Sequence, residues 1–219
     1  MLNQYIISKR ERRLLSCFIC DGRDFLSSVF EQLPERIQRH SKRTSTIAGM
    51  IAEHMPEHLL PYGMDRFEYR LAMMRGAYYH KIGVYLALND VKNRPVMAEK
   101  LLNENWYTCD SPQYRKVLLE TVKNCCEEYD GTGYPDGLRG TDIPFHATVC
   151  LIASIVDMFM RLSPYTEAKA KRATEYIRQN NGIRFRADAV ECFERAKEKI
   201  FDLYINQSNE VLAAAAPTG

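Results

Sequence analysis

The chain has 219 residues, 46% of them hydrophobic, and 30 Lys and Arg against 28 Asp and Glu leave a net charge of +2. That length buries one sizeable core, so a single domain is expected, and the balanced charge excludes a field of one sign that would mark the whole surface for nucleic acid or membrane. Seven cysteines accompany a charged first stretch (Lys9, Arg10, Glu11, Arg12, Arg13) with no apolar leader segment, which predicts a cytoplasmic protein with reduced thiols.

In chain order the pattern is helical nearly throughout. Residues 1–23 are read as a cap or linker. Asp24 to Arg39 carries Phe25, Val29, Phe30 and Leu33 at helical spacing, with Asp24 as N-cap and Pro34 as a kink or a boundary. Thr46 to Met55 continues with Ile47, Met50, Ile51 and His54 on one face, and Pro56 stops it. Arg66 to Tyr79 follows, spaced as a core stripe through Phe67, Leu71 and Met74. Leu88 to Pro95 reads as a loop, and Met97 to Leu102 as a short helix. Gln113 to Cys126 is the next helix, with Ser111 and Pro112 placed to cap and start it. Beyond a turn at Ser163-Pro164-Tyr165, helices are expected through Lys169 to Gln179 and Ala187 to Leu203, and residues 206–219 read as a disordered tail.

Two features stand out. Residues 127–144 hold four glycines, two prolines and three Asp, which no regular helix accommodates, so a shaped loop joins two core helices there. The second is Asp157, inside the apolar run from Phe145 to Met160, which is short of the roughly 20 residues that span a bilayer. A carboxylate in such a run is neutral, paired with a helix end or Arg, or metal-bound, because an unpaired buried charge is prohibitive. His40 and His80 are candidate companions, gathered from distant segments; each alone is more often a partly exposed core residue.

These residues carry a resemblance. The stretch Asp130-Gly-Thr-Gly-Tyr-Pro-Asp-Gly-Leu-Arg-Gly-Thr-Asp-Ile-Pro144 resembles the signature loop of the HD-GYP family, a bacterial branch of the HD-domain metal phosphohydrolases. His40-Ser-Lys-Arg43 is similar to its opening His-x-x-Arg, and His80-Lys-Ile-Gly to its His-Asp-Ile-Gly-Lys. Asn93-Arg-Pro95, the helix from Leu151 to Phe159, Ser163-Pro-Tyr165 and Gly182-Ile-Arg-Phe185 resemble further family motifs, and the likeness runs from about residue 24 to 200. It implies an all-α HD-domain helical bundle with a GYP loop, a site of two or three iron or manganese ions, and hydrolysis of cyclic di-GMP.

The chain departs from that pattern where the metals would bind. Lys81 stands for the Asp of the His-Asp pair, Val84 for a lysine, and Cys125 and Cys126 for paired histidines; Met160 is matched to a second Asp and Ser163 to an arginine. What remains of the implied ligand set is His40, His80 and Asp157, vestigial or altered, with Cys125 and Cys126 either as thiolate ligands or as core filling. The cofactor is unknown: none, or else zinc, iron or manganese. The expected function is a non-catalytic signalling module of cyclic-dinucleotide pathways. The resemblance implies that its loop, through Tyr129, Asp130, Gly133, Tyr134, Pro135 and Leu138, contacts a protein partner such as a diguanylate cyclase-type domain. The alternatives are a metal-dependent phosphodiesterase with an altered His/Asp/Cys site, and a sensor that binds cyclic di-GMP uncut through Lys81, Arg94 and Arg139.

Overall fold

The computed structural model describes residues 25–105, 111–161 and 166–215, with side chains described to residue 205. Asp24, the turn at 163–165 and the ends of the chain lie outside the described residues. Among those described, the architecture is all helical, with a single isolated bridge between Asn181 and Phe185. The helices are α1 (Phe25–Glu31), α2 (Glu35–Ala52), α3 (Arg66–Tyr79), α4 (Arg94–Asn105), α5 (Pro112–Asn124), α6 (Phe145–Met160), α7 (Glu167–Gln179) and α8 (Ala187–Ala215), with short 3-10 turns between some of them.

The core is built around α6, whose side chains are almost all buried from Phe145 to Asp157. A helix apolar on all sides needs cover on all sides, and α2, α3, α5, α7 and α8 supply it. α3 packs between α2 and α5, and α4 closes α5 on its outer side. The ends follow local chemistry. Asp65 accepts from the Glu68 N–H at 2.8 Å to start α3, and Ser111 accepts from the Tyr114 N–H at 3.1 Å to start α5, with Pro112 in its first turn.

Three boundaries differ from the sequence reading. Pro34 is a boundary, and beyond it α2 is continuous through Arg39 and Thr46, so His40 lies inside a helix instead of following one. The reason is that Ser41, Thr44 and Ala48, small and partly polar, form a fully buried face at helical spacing. α4 starts at Arg94, with Pro95 in its first turn. α8 continues past Leu203 to Ala215.

Candidate functional site

The buried carboxylate of Asp157 is fully partnered. Arg43, one turn after His40 on α2, donates from Nε to Asp157 Oδ1 and from a terminal nitrogen to Oδ2 at 3.3 Å. His40 Nδ1 lies 2.6 Å from Oδ2, and the Tyr204 hydroxyl donates to Oδ1 at 2.8 Å from α8. Asp157 is 0% exposed. Burial alone would raise its pKa; hydrogen bonds from His40 and Arg43, with the guanidinium charge, outweigh burial and hold it below the ordinary carboxylate range. Of the readings open for this residue, the one observed is a carboxylate paired with an Arg.

His40 is likewise saturated. With Nδ1–H donating to Asp157, its Nε2 accepts from the Ser154 hydroxyl at 3.1 Å. His80 is different. Its Nδ1–H donates to the Ala77 carbonyl at 2.6 Å, and its buried Nε2 has no partner. Burial, then the nearby charge of Lys81, pushes its pKa well down, so the imidazole is neutral. The two rings lie 5.3 Å apart between centroids.

Cys125 is buried and donates its thiol to the Val122 carbonyl at 3.2 Å. Cys126, half-buried, has its sulfur 3.9 Å from that of Cys125. For Cys125 the contact with Cys126 favours the thiolate, but contact with Cys150 and burial outweigh it and push the thiol up to about 12. Cys126 is raised too, by its contact with Cys125 and by burial. Burial thus favours the protonated thiol at both positions, and a metal bound here would have to displace that proton, because ligation uses the thiolate.

His40, His80 and Cys126 meet at the floor of a cleft of about 360 Å³, which Lys81, Arg94, Tyr134 and Arg161 also line. Sequence reasoning missed Arg36 and Arg161 there, and placed Arg139 among the phosphate contacts. Arg139 lies against Gly131 instead and does not line the cleft.

The glycine-rich loop is clamped from within. Glu127, 1% exposed, accepts three backbone N–H groups, from Asp136 at 2.7 Å and Gly137 at 3.2 Å on one oxygen and from Leu138 at 3.0 Å on the other. Gly133 crosses the chain so closely that a Cβ there would overlap the Glu128 nitrogen and Glu127 Cα. From behind, Tyr129 and Asp130 donate their N–H groups to the carbonyls of Arg184 at 3.1 Å and Ile183 at 2.8 Å. That contact gives the Gly182-Ile-Arg-Phe185 motif a purpose. Tyr134, expected among the loop's partner contacts, is half-buried and lines the cleft, and burial followed by Cys126 raises its phenol pKa. Tyr129, Asp130, Gly133, Pro135 and Leu138 are each half-buried; the exposed positions of the loop are Thr132, Asp136, Gly137, Arg139, Thr141 and Asp142.

The donor set does not fit a divalent metal. Both oxygens of Asp157 and both nitrogens of His40 are engaged, and Lys81 adds a cation where one would sit. His80 Nε2 is the one predicted nitrogen left open. Among the described residues no three His, Cys, Asp or Glu side chains converge on a point that would hold an ion.

Fold and cleft together define an HD-domain protein, and an HD-domain family model matches residues 87–188. The chain is 27% identical over 210 residues to the cyclic di-GMP phosphodiesterase response regulator RpfG of Xanthomonas campestris, covering 89% of this chain and 50% of that protein. It is 29% identical over 237 residues to a cyclic di-GMP phosphodiesterase of Thermotoga maritima, covering 95% of this chain and 61% of the relative. The chain is thus similar to these cyclic di-GMP phosphodiesterases over most of its own length, and it spans about half to three-fifths of theirs. Among the described residues no helix is long and apolar enough to cross a membrane.

Proposed function

We propose that this chain is a non-catalytic HD-GYP module of cyclic-dinucleotide signalling. One observation carries the reading: the carboxylate that would anchor a metal is consumed by Arg43, His40 and Tyr204. Phosphodiester hydrolysis at two-metal sites needs ions about 3.5–4 Å apart, and one free imidazole nitrogen with two cysteine sulfurs supplies too few ligands to hold two. The test is elemental analysis of protein purified under reducing conditions, joined to a cyclic di-GMP turnover assay with added manganese, iron or zinc. The expected result is substoichiometric metal and no linear product. Stoichiometric metal with turnover would replace this reading with that of an altered phosphodiesterase, which the open Nε2 of His80 favours.

The output of the module is contact with a protein partner at the loop. Support comes from the rigidity that Glu127 and the 183–184 carbonyls impose on it. The surface on offer is the outer edge from Thr132 to Arg139, next to a groove that Gly133 to Gly137 form with Asp90, Lys92 and Asn93. A diguanylate cyclase-type domain is the partner to try. Co-sedimentation of the two purified proteins, lost in Asp136→Lys, is the expected outcome; no association at micromolar concentrations removes this part of the reading.

A further inference from the structure

The cleft has a charge pattern that the loss of a metal centre does not explain. Arg36, Lys81, Arg94 and Arg161 all line it, and among the described residues no carboxylate does. Asp157, the acid bonded to His40, is fully buried and already shared among Arg43, His40 and Tyr204, so it does not serve these cations. Arg36, Lys81 and Arg161 form no side-chain ion pair or hydrogen bond among the described residues. Arg94 is fixed by donating to the Ala87 carbonyl at 3.0 Å and the Leu88 carbonyl at 2.6 Å. Like charges converging without counter-charges repel one another, and an anion relieves that repulsion.

A second, independent observation points inward. His80 is 3% exposed, lines the cleft, and presents an unpartnered Nε2. Because Nδ1–H is committed to the Ala77 carbonyl, Nε2 carries a lone pair and accepts a hydrogen bond. The site thus asks for an anion and, beside it, a donor such as a hydroxyl. The remaining walls are apolar, including Ile37, Val84 and Pro95, and the ring of Tyr134 stands at one side. The volume of about 360 Å³ lies in the range of small-molecule sites.

We propose that this cleft is a metal-free phosphate site, in which the Lys81 ammonium and the arginines around it hold the phosphate of a nucleotide-sized ligand while His80 Nε2 accepts from a ligand hydroxyl. The proposal rests on the reading that no metal centre forms here. Lys81 has the central role because it stands beside both His80 and the two cysteines. Charge-assisted hydrogen bonds are among the strong ones, and removing one weakens binding about tenfold or more.

The experiment is calorimetric titration of the full chain, in chelator, with cyclic di-GMP, guanosine 5′-monophosphate and inorganic phosphate. At least one nucleotide is expected to bind in chelator, more tightly than inorganic phosphate, and to weaken as salt is raised. Lys81→Gln and Arg161→Gln are each expected to lower that affinity about tenfold, while Arg172→Gln, exposed and outside the cleft, leaves it unchanged. Both substitutions fall on partly or fully exposed positions, and the salt titration of the parent protein gives a readout that needs no variant. Nucleotide binding that appears only after manganese, iron or zinc is added would overturn both this proposal and the reading it rests on. No binding with or without metal would overturn this proposal alone and leave the non-catalytic module standing. Inorganic phosphate bound as tightly as the nucleotides, or full affinity in Lys81→Gln, would also overturn it.

Discussion

Glu127→Gln is the substitution that most directly tests what shapes the loop. In the native protein one buried carboxylate accepts the N–H groups of Asp136, Gly137 and Leu138. An amide keeps a single oxygen, which can serve Asp136 and Gly137, but its NH₂ then faces the Leu138 N–H, donor against donor. One charge-assisted bond is lost outright, at about 1.5–3 kcal/mol, and two are weakened, so a total of about 2–4 kcal/mol is expected. The Lys123–Asp136 ion pair at 2.7 Å also touches this loop, but both side chains are partly exposed, and Lys123→Met is expected to cost less than about 1 kcal/mol. Urea denaturation of the two variants gives the comparison, and hydrogen exchange of the 136–138 amides localises it. If Glu127→Gln lost under about 0.5 kcal/mol with amide protection unchanged, the clamp would be elsewhere and the account of the loop wrong.

Other perturbations separate the remaining supports of the site. Tyr204→Phe removes one hydrogen bond to the Asp157 carboxylate and should lower stability by about 1.5–3 kcal/mol by urea unfolding; a neutral effect would mean that Arg43 and His40 suffice. Asp157→Asn leaves the half-buried Arg43 guanidinium without its counter-charge and is expected to cost about 3–5 kcal/mol, with a variant as stable as the parent refuting the anchor role. Gly83→Ala would drive a Cβ into the Arg94 carbonyl and to within 2.8 Å of the Ala98 nitrogen, at about 3 kcal/mol or more, visible as a lower melting temperature. His80 has its pKa lowered in the folded state by burial and by Lys81, and His146 by burial, which its contact with Glu120 only partly opposes. The unfolded chain therefore takes up these protons first. The stability is present above about pH 6.5 and lost as pH falls below it, by at most about 2 kcal/mol at pH 5 for His80. Urea midpoints unchanged between pH 7 and pH 5 would contradict this.

The fold was legible where chemistry is local. α3 and α6 begin and end where the sequence puts them, because Asp65 caps one and Pro144 precedes a mostly apolar run in the other. α2 was less legible, since its buried face is made of Ser41, Thr44 and Ala48, which hydropathy does not distinguish from a polar surface. For the site, His40, His80 and Cys126 do share one cleft, but the partners that define their chemistry were not read. Ser154 and Tyr204 lie far from His40 in sequence, and nothing in spacing links them. Arg43 was within reach: three residues after His40 on one helix, it had to lie on the same face, and a buried Asp157 demanded a cation. Glu127 carried no signal, because its buried position follows only from the loop folding back over it.

The parts of this molecule that hold shape and the parts that set charge are separable. The Asp157–Arg43–Tyr204 cluster ties α2, α6 and α8 together, and the Glu127 clamp holds the loop; both are complete with protein groups alone. A frame that closes without a metal does not collapse when ligands to the metal are replaced. Lys81 then changes the charge at the cleft wall from −1, for the aspartate that the family resemblance expects, to +1. That reversal falls where a phosphate would otherwise meet a divalent ion, with Arg36, Arg94 and Arg161 already around it. A fixed ammonium can neutralise a phosphate but cannot lower the pKa of a bound water to generate hydroxide. On the proposed reading, the same substitution that would remove hydrolysis leaves the attraction for the anion in place, and binding without turnover is the expected behaviour of this cleft.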